Sequence, residues 1–227
     1  MAKASKTKGT GKKTGNPIKE KIIQAYIDQV VSNGKKPVTV FKFCKEIGIK
    51  ESEFYDVAGS FHELENQIWT SLMDRTIAAV SADQQFENFS AREKMLALYF
   101  TLLEILKENR SFAVMTAGIS LSPVQFPACL KGFKSSFENF VSEIIGSGKS
   151  SGEVATRPML DNRYPQIFWI HLMLVMQFWI SDSSPSFEQS DAFVEKSVNL
   201  AFDLIGKGAL DTAIDLAKFV YQSKVRF

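Results

Sequence analysis

Gly146-Ser147-Gly148-Lys149-Ser150 ends in the Gly-Lys-Ser triplet with which phosphate-binding loops cradle a nucleotide. Such a loop also needs a glycine where the chain has Glu143, and a buried strand ahead of it. Helical periodicity precedes it instead, so the segment reads as a flexible linker between helices. Cys44 and Cys129 stand far apart, fit no zinc spacing and point to a reducing compartment. His62 and His171 are the only two histidines, too few for a metal set. No nucleophile elbow, HExxH, CxxC or dinucleotide fingerprint occurs, and the carboxylates fall on solvent faces without a nominated acid/base pair. The expectation is a protein without enzymatic chemistry and without a cofactor.

Binding chemistry is better represented. Lys3, Lys6, Lys8, Lys12, Lys13, Lys19 and Lys21 face only Glu20 in the first 21 residues, a local charge of +6 within a net charge of +2. A mildly acidic body therefore carries a basic tail. Lys12 and Lys13 could follow a polyanion such as DNA or an anionic membrane; a solubilising tail explains the same composition. Further along, Tyr164–Ser181 has no formal charge, yet it opens with Tyr-Pro and contains Gln166, His171 and Gln177. It is short for a membrane span and reads as a helix buried in a domain centre or a dimer interface. Its Trp169, His171, Met173 and Met176, together with Phe100, Phe112 and Met115, could line an adaptable apolar pocket. Plain core packing is the alternative for each of them, and His171 reads as a hydrogen-bonded core or pocket residue.

The elements that must position these residues are helical throughout. Residues 1–15 are Lys, Gly, Ser and Thr with little apolar content, so the tail reads as disordered and lacks the apolar core of a signal peptide. Together with the cysteine usage this gives a cytoplasmic expectation. Asn16-Pro17 is a helix start, and Ile22, Ile23, Tyr26, Ile27, Val30 and Val31 follow at helical spacing to Asn33-Gly34. Thr39 caps a second short helix bearing Val40, Phe43, Cys44 and Ile47. Gly48 closes it, and a third helix starts near Lys50 and runs through Phe54 and Tyr55.

Longer helices come next: about Phe61 to Val80, then one after the Ser90–Glu93 capping box, then Phe112–Ala117. The remainder are about Pro127 to Ile145, Tyr164–Ser181, Ser190–Ile205 and Leu210–Val220. No stretch alternates with the period of a strand. The fold is predicted to be all-α, nine to ten helices, with a disordered tail over 1–15, a helix-turn-helix unit over 16–64 and a larger helical bundle over 65–227.

The run Thr39 to Ile49, with Phe54-Tyr55 and Glu63-Leu64 after it, resembles the tetracycline-repressor (TetR) family. The shared features are a Thr-capped helix, a Glu-x-Gly-Ile turn, a Phe-Tyr pair six residues after the glycine and a Leu nine residues after the tyrosine. The resemblance covers about residues 18–66. It implies a homodimeric transcriptional regulator whose third helix enters the major groove of an operator and whose larger domain, 65–227, binds a small apolar effector. On that template Lys50, Glu51, Ser52 and Glu53 open the recognition helix, Tyr55 contacts a backbone phosphate, and Thr39 caps a helix whose N–H groups point at a phosphate. Late helices, here Tyr164–Ser181 and Ser190–Ile205, are implied to dimerise, with Leu200 and Phe202 as interface residues.

Departures from the pattern suggest a second reading. Val57-Ala58 stand where the family has an aromatic or His followed by Phe, and Phe61 stands where it has a phosphate-binding Lys. Glu51, Glu53 and Asp56 add negative charge beside a surface that should face DNA, although a Glu can accept from cytosine N4. Phe178 to Pro185 also resembles the Trp-containing helix end of lipid-binding ubiquinone-biosynthesis proteins with this fold. The alternative is therefore a TetR-fold protein that binds a lipid or isoprenoid and no longer reads DNA, its Lys tail docking on an anionic membrane.

Overall fold

The computed structural model describes residues 16–117, 126–208, 212, 215–216 and 218–220. Among them are nine α-helices, a few short 3-10 turns and no strand. The chain forms two compact units, Met1–Leu64 and Glu65–Phe227.

The first unit is built on three helices, α1 (Pro17–Asn33), α2 (Val40–Ile47) and α3 (Glu51–Tyr55). Local chemistry sets their ends. The Asn16 side chain accepts the Ile18 N–H at 3.1 Å, Pro17 needs no partner for a first-turn N–H, and Gly34 takes the left-handed conformation that ends α1. The Thr39 hydroxyl accepts the Lys42 N–H at 3.2 Å to start α2. Tyr26, Phe43, Phe54 and the first turn of α4 (Phe61–Ser81) form the core of this unit, with Ile22, Val30 and Leu64 buried beside them. Burying each such side chain stabilises the unit by roughly 1.5–3 kcal/mol.

In the second unit α4 is followed by α5 (Ala91–Glu108), α6 (Arg110–Ala117), α7 (Lys131–Ser151), α8 (Tyr164–Ser181) and α9 (Glu188–Ile205). The expected capping box holds: the Ser90 hydroxyl accepts from the Glu93 N–H, and the Glu93 carboxylate accepts from the Ser90 N–H at 2.8 Å. α5 packs on α7 and α9, and α8 packs on the same two helices, so four helices enclose one core. Tyr99, Leu102, Phe137, Phe168, Trp169, Met176, Val198 and Phe202 fill it.

The α8–α9 corner is tightly specified. Ser186 and Phe187 both have positive φ, unfavourable for residues with a Cβ. The Arg110 guanidinium lies over the Trp179 and Phe187 rings, at 4.8 and 4.7 Å, and donates to the carbonyls of Trp179, Ile180 and Asp182. Asp182 in turn accepts from the Ser190 hydroxyl and the Ser184 and Ser190 N–H groups, which hold its carboxyl at about 2.

Two expectations need correction. Gly146 to Ser150 is not a linker: it lies in the last turns of α7, which ends at left-handed Gly152. Gly148 is there for close packing, since a Cβ on it would come within 2.8 Å of Val154 and Ala91. Tertiary contact thus overrides the low helix propensity of glycine. Phe202 is not at an interface: it is 1% exposed and packs on Phe168 at 5.8 Å, whereas Leu200 is 59% exposed. The expected last helix, Leu210–Val220, and the tail over 1–15 fall partly or wholly outside the described residues, although 212, 215–216 and 218–220 are helical.

Candidate functional site

The first candidate surface is the α2–α3 pair. Gly48, at φ 68°, lets the chain reverse between them, and its N–H and that of Ile49 both return to the Cys44 carbonyl. The turn leaves Lys50, Glu51, Ser52 and Tyr55 exposed while Phe54 is buried. Glu53 behaves differently from its neighbours. Its carboxylate accepts the Lys50 N–H at 2.7 Å, so it is half-buried and caps α3. The TetR resemblance implies a place for Glu53 among the residues that open the recognition helix; its carboxylate is engaged by the helix start.

The acidic character of this surface is real in the fold. The Cys44 thiol is raised above its ordinary value, first by burial and then by the charges of Glu51 and Glu53. Sequence reasoning missed Val38 and Phe41, which are 78% and 62% exposed beside Thr39 and Lys42. A signal existed for Phe41, since it falls off the Val40, Phe43, Cys44, Ile47 stripe that forms the buried face. Lys12 and Lys13 lie outside the described residues.

The departures at 57–61 are explained by packing. Phe61 points into the core, stacked on Tyr26 at 5.3 Å and edge-on to Phe43 and Phe54 at 5.5 and 5.4 Å. Ala58 is buried and small. The ring that the TetR pattern places at 58 is thus supplied from 61, three residues later on the neighbouring helix start. His62 is exposed, as expected.

The second candidate site is the aromatic core of residues 65–227. Trp69, Phe112, Phe133, Phe137 and Trp169 form a continuous series of ring contacts with centroids 5.6 to 6.4 Å apart. Trp169, Met173 and Met176 share one face of α8 and are buried. Of the expected pocket residues, the structure brings Phe112, Trp169, Met173 and Met176 into this interior. Met115 and Phe100 are half-buried, and neither Phe100 nor Met115 belongs to the ring series.

His171 faces the other way, with Nδ1 2.9 Å from the Tyr99 hydroxyl, which also lies 3.2 Å from the Phe168 carbonyl. Burial lowers the His171 pKa to about 4 and pushes that of Tyr99 well up, so the imidazole is neutral. Among the described residues, Trp169 Nε1 and His171 Nε2 are buried without a hydrogen-bond partner. A separate cleft of about 670 Å³ lies over the α5 start, with Phe89, Ser90, Ala91, Glu93, Ser151 and Glu153 among its lining. The Glu153 carboxylate already accepts from the Ala91 and Arg92 N–H groups there, so that helix start holds an internal anion.

Among the described residues no cluster of three metal-ligating side chains occurs, and no helix is long and apolar enough to cross a membrane. Trp179 is buried beneath Arg110, so it presents no exposed apolar wedge.

The fold is similar to solved structures of TetR-family transcriptional regulators. One from Syntrophomonas wolfei str. Goettingen has a TM-score of 0.66 at 13% identity, covering 82% of this chain and 95% of that one. One from Shewanella sp. PV-4 gives 0.57 at 15% identity, with the same coverages. A regulatory protein of the family from Rhodococcus RHA1 gives 0.56 at 16% identity, covering 86% of this chain and all of that one. At such identities the likeness concerns the fold alone. No curated protein matches the chain. A model of the tetracyclin repressor-like C-terminal domain matches residues 94–220, more than half of the sequence and most of the four-helix core. With that domain following the Gly48 helix-turn-helix, the chain belongs to the TetR family.

Proposed function

We propose that this protein is a homodimeric transcriptional regulator that reads a double-stranded operator through α2 and α3 and is released by a small apolar effector held within residues 65–227. The observation that carries this reading is the reversal at Gly48, which leaves Lys50, Glu51, Ser52 and Tyr55 exposed together at the start of α3 next to the Thr39-capped α2. Effector binding would favour a dimer geometry whose reading heads no longer match successive major grooves. Exposed Ile167 and Leu174 on α8 and Leu200 and Leu204 on α9 support a dimer surface there. L200E combined with L204E should yield a helical monomer by light scattering, while F202E should lose helicity; a dimer surviving L200E/L204E refutes this surface.

The direct test is DNA binding by the full chain and by a truncated chain beginning at Asn16, on its own upstream region and on a scrambled duplex, titrated across salt. Preferential binding by both chains near physiological salt is expected, because sequence is read by base contacts and not by phosphates alone. Indiscriminate binding, or binding lost with the tail, would refute operator reading. The competing lipid- or isoprenoid-binding reading would then take its place, supported by the inward turn of Phe61, which replaces a phosphate contact with core packing.

A further inference from the structure

Two indoles of the second unit rest on the same phenylalanine. Trp69 and Trp169 meet the Phe133 ring at 5.6 and 6.1 Å, and both are buried. The Trp69 N–H donates to the Thr116 hydroxyl at 3.1 Å, which itself donates to the Phe112 carbonyl at 2.8 Å. The Trp169 N–H has no acceptor among the described residues. A buried donor left without a partner is rare in folded proteins, because its lost hydration is uncompensated. Phenylalanine would fill much of the same space without that cost, as it does at the neighbouring positions 133 and 137.

The surroundings restrict what could use this donor. Trp169 shares its helix face with Met173 and Met176, whose unbranched side chains can yield to a guest. No unpaired positive charge stands beside the indole among the described residues. The ammonium of Lys134, 5.7 Å from the Trp169 ring, is paired with Glu138 at 3.6 Å. The imidazole of His171 is neutral. A carboxylate entering here would lose its hydration without a counter-charge, whereas a carbonyl or ether oxygen would accept from the indole at little cost.

We propose that the Trp169 N–H is the polar anchor of the effector site, and that the effector is an uncharged, largely apolar molecule carrying a hydrogen-bond acceptor. This deepens the regulator reading and rests on it. The effector's apolar part displaces the Met173 and Met176 side chains, and its acceptor oxygen takes the indole proton in a hydrogen bond.

The test is a titration of the ¹⁵N-labelled full chain with acetophenone, ethylbenzene and benzoate, three molecules of similar size that differ in acceptor and charge. The indole N–H resonance of Trp169, assigned as the one missing from W169F, is followed by NMR. Acetophenone should move that resonance downfield and bind about tenfold more tightly than ethylbenzene, the effect of about one net hydrogen bond. Benzoate should bind more weakly than acetophenone, and W169F should bind acetophenone and ethylbenzene alike. Equal binding of those two by the natural chain, or tightest binding of benzoate, overturns the anchor and leaves the effector reading standing. Failure of all three to bind overturns the effector reading together with the anchor. The affinities of acetophenone, ethylbenzene and benzoate are compared on the natural chain, so that outcome does not depend on W169F folding.

Discussion

The two units pack aromatic rings in different ways. In the first, Tyr26, Phe43, Phe54 and Phe61 meet one another within 5.3 to 6.2 Å, and the residues offered for recognition lie outside on α2 and α3. In the second, the ring cluster contains polar atoms: a satisfied indole at Trp69, an unsatisfied one at Trp169 and a neutral imidazole at His171. A core with no unsatisfied polar atom among its described residues makes a rigid platform whose reading residues can change without disturbing it. A core that keeps unsatisfied polar atoms gives up stability at those atoms and gains places where a guest can be recognised.

The strongest challenge to this contrast comes from position 61. Restoring the family's lysine with F61K should weaken DNA binding despite the added positive charge, because a ring packed on three others is removed. The expected loss of stability is about 3 kcal/mol, measured by denaturant unfolding of the full chain. Tighter DNA binding with unchanged stability would show that the platform does not depend on Phe61.

A pH titration addresses the second core. His171 has its pKa lowered from 6.5 to about 4, so the unfolded chain binds a proton that the folded chain refuses. Its contribution to stability is complete above pH 6.5 and is lost as the pH falls toward 4, by up to about 3 kcal/mol. H171Q should flatten that dependence in thermal melts between pH 4 and 6.5. Asp182, lowered from 3.8 to about 2, adds its slope mainly below pH 4, where the unfolded chain takes up a proton that the folded carboxylate refuses. An unchanged slope in H171Q would assign the acid sensitivity to another group.

The smallest effect separates the two indoles. W69F breaks a made hydrogen bond and leaves the Thr116 hydroxyl only its bond to the Phe112 carbonyl, whereas W169F breaks none. W69F should therefore destabilise the chain by about 1 kcal/mol more than W169F. Equal losses would mean that the Trp169 N–H is satisfied in solution.

Much of the scaffold was legible from local patterns. Asn16-Pro17, Thr39 and the Ser90–Glu93 box start helices where expected, and Gly34 and Gly48 end them. These signals are readable because a cap and the N–H it satisfies lie within three residues of each other. The apolar stripe of α5, from Met95 to Leu106, is equally local, since its period alone defines the buried face. The TetR spacing around Gly48 belongs to the same class.

Tertiary contacts decided the rest. Gly146 to Ser150 is helical because Gly148 fits against Val154 and against Ala91, a partner that no window around the glycines contains. Phe202 is core and Leu200 surface because α5 and α8 cover one side of α9, which the composition of α9 does not reveal. The hydrogen bond that satisfies Trp69 spans 47 residues, and the one absent at Trp169 is a property of everything packed around it. Hydrogen-bond partners close in sequence are set by the backbone geometry of one element, so the chain announces them. Partners far apart meet only when several helices have already chosen their neighbours, and there the folded arrangement alone determines which side chains pack, which stay exposed and which polar atoms are left open.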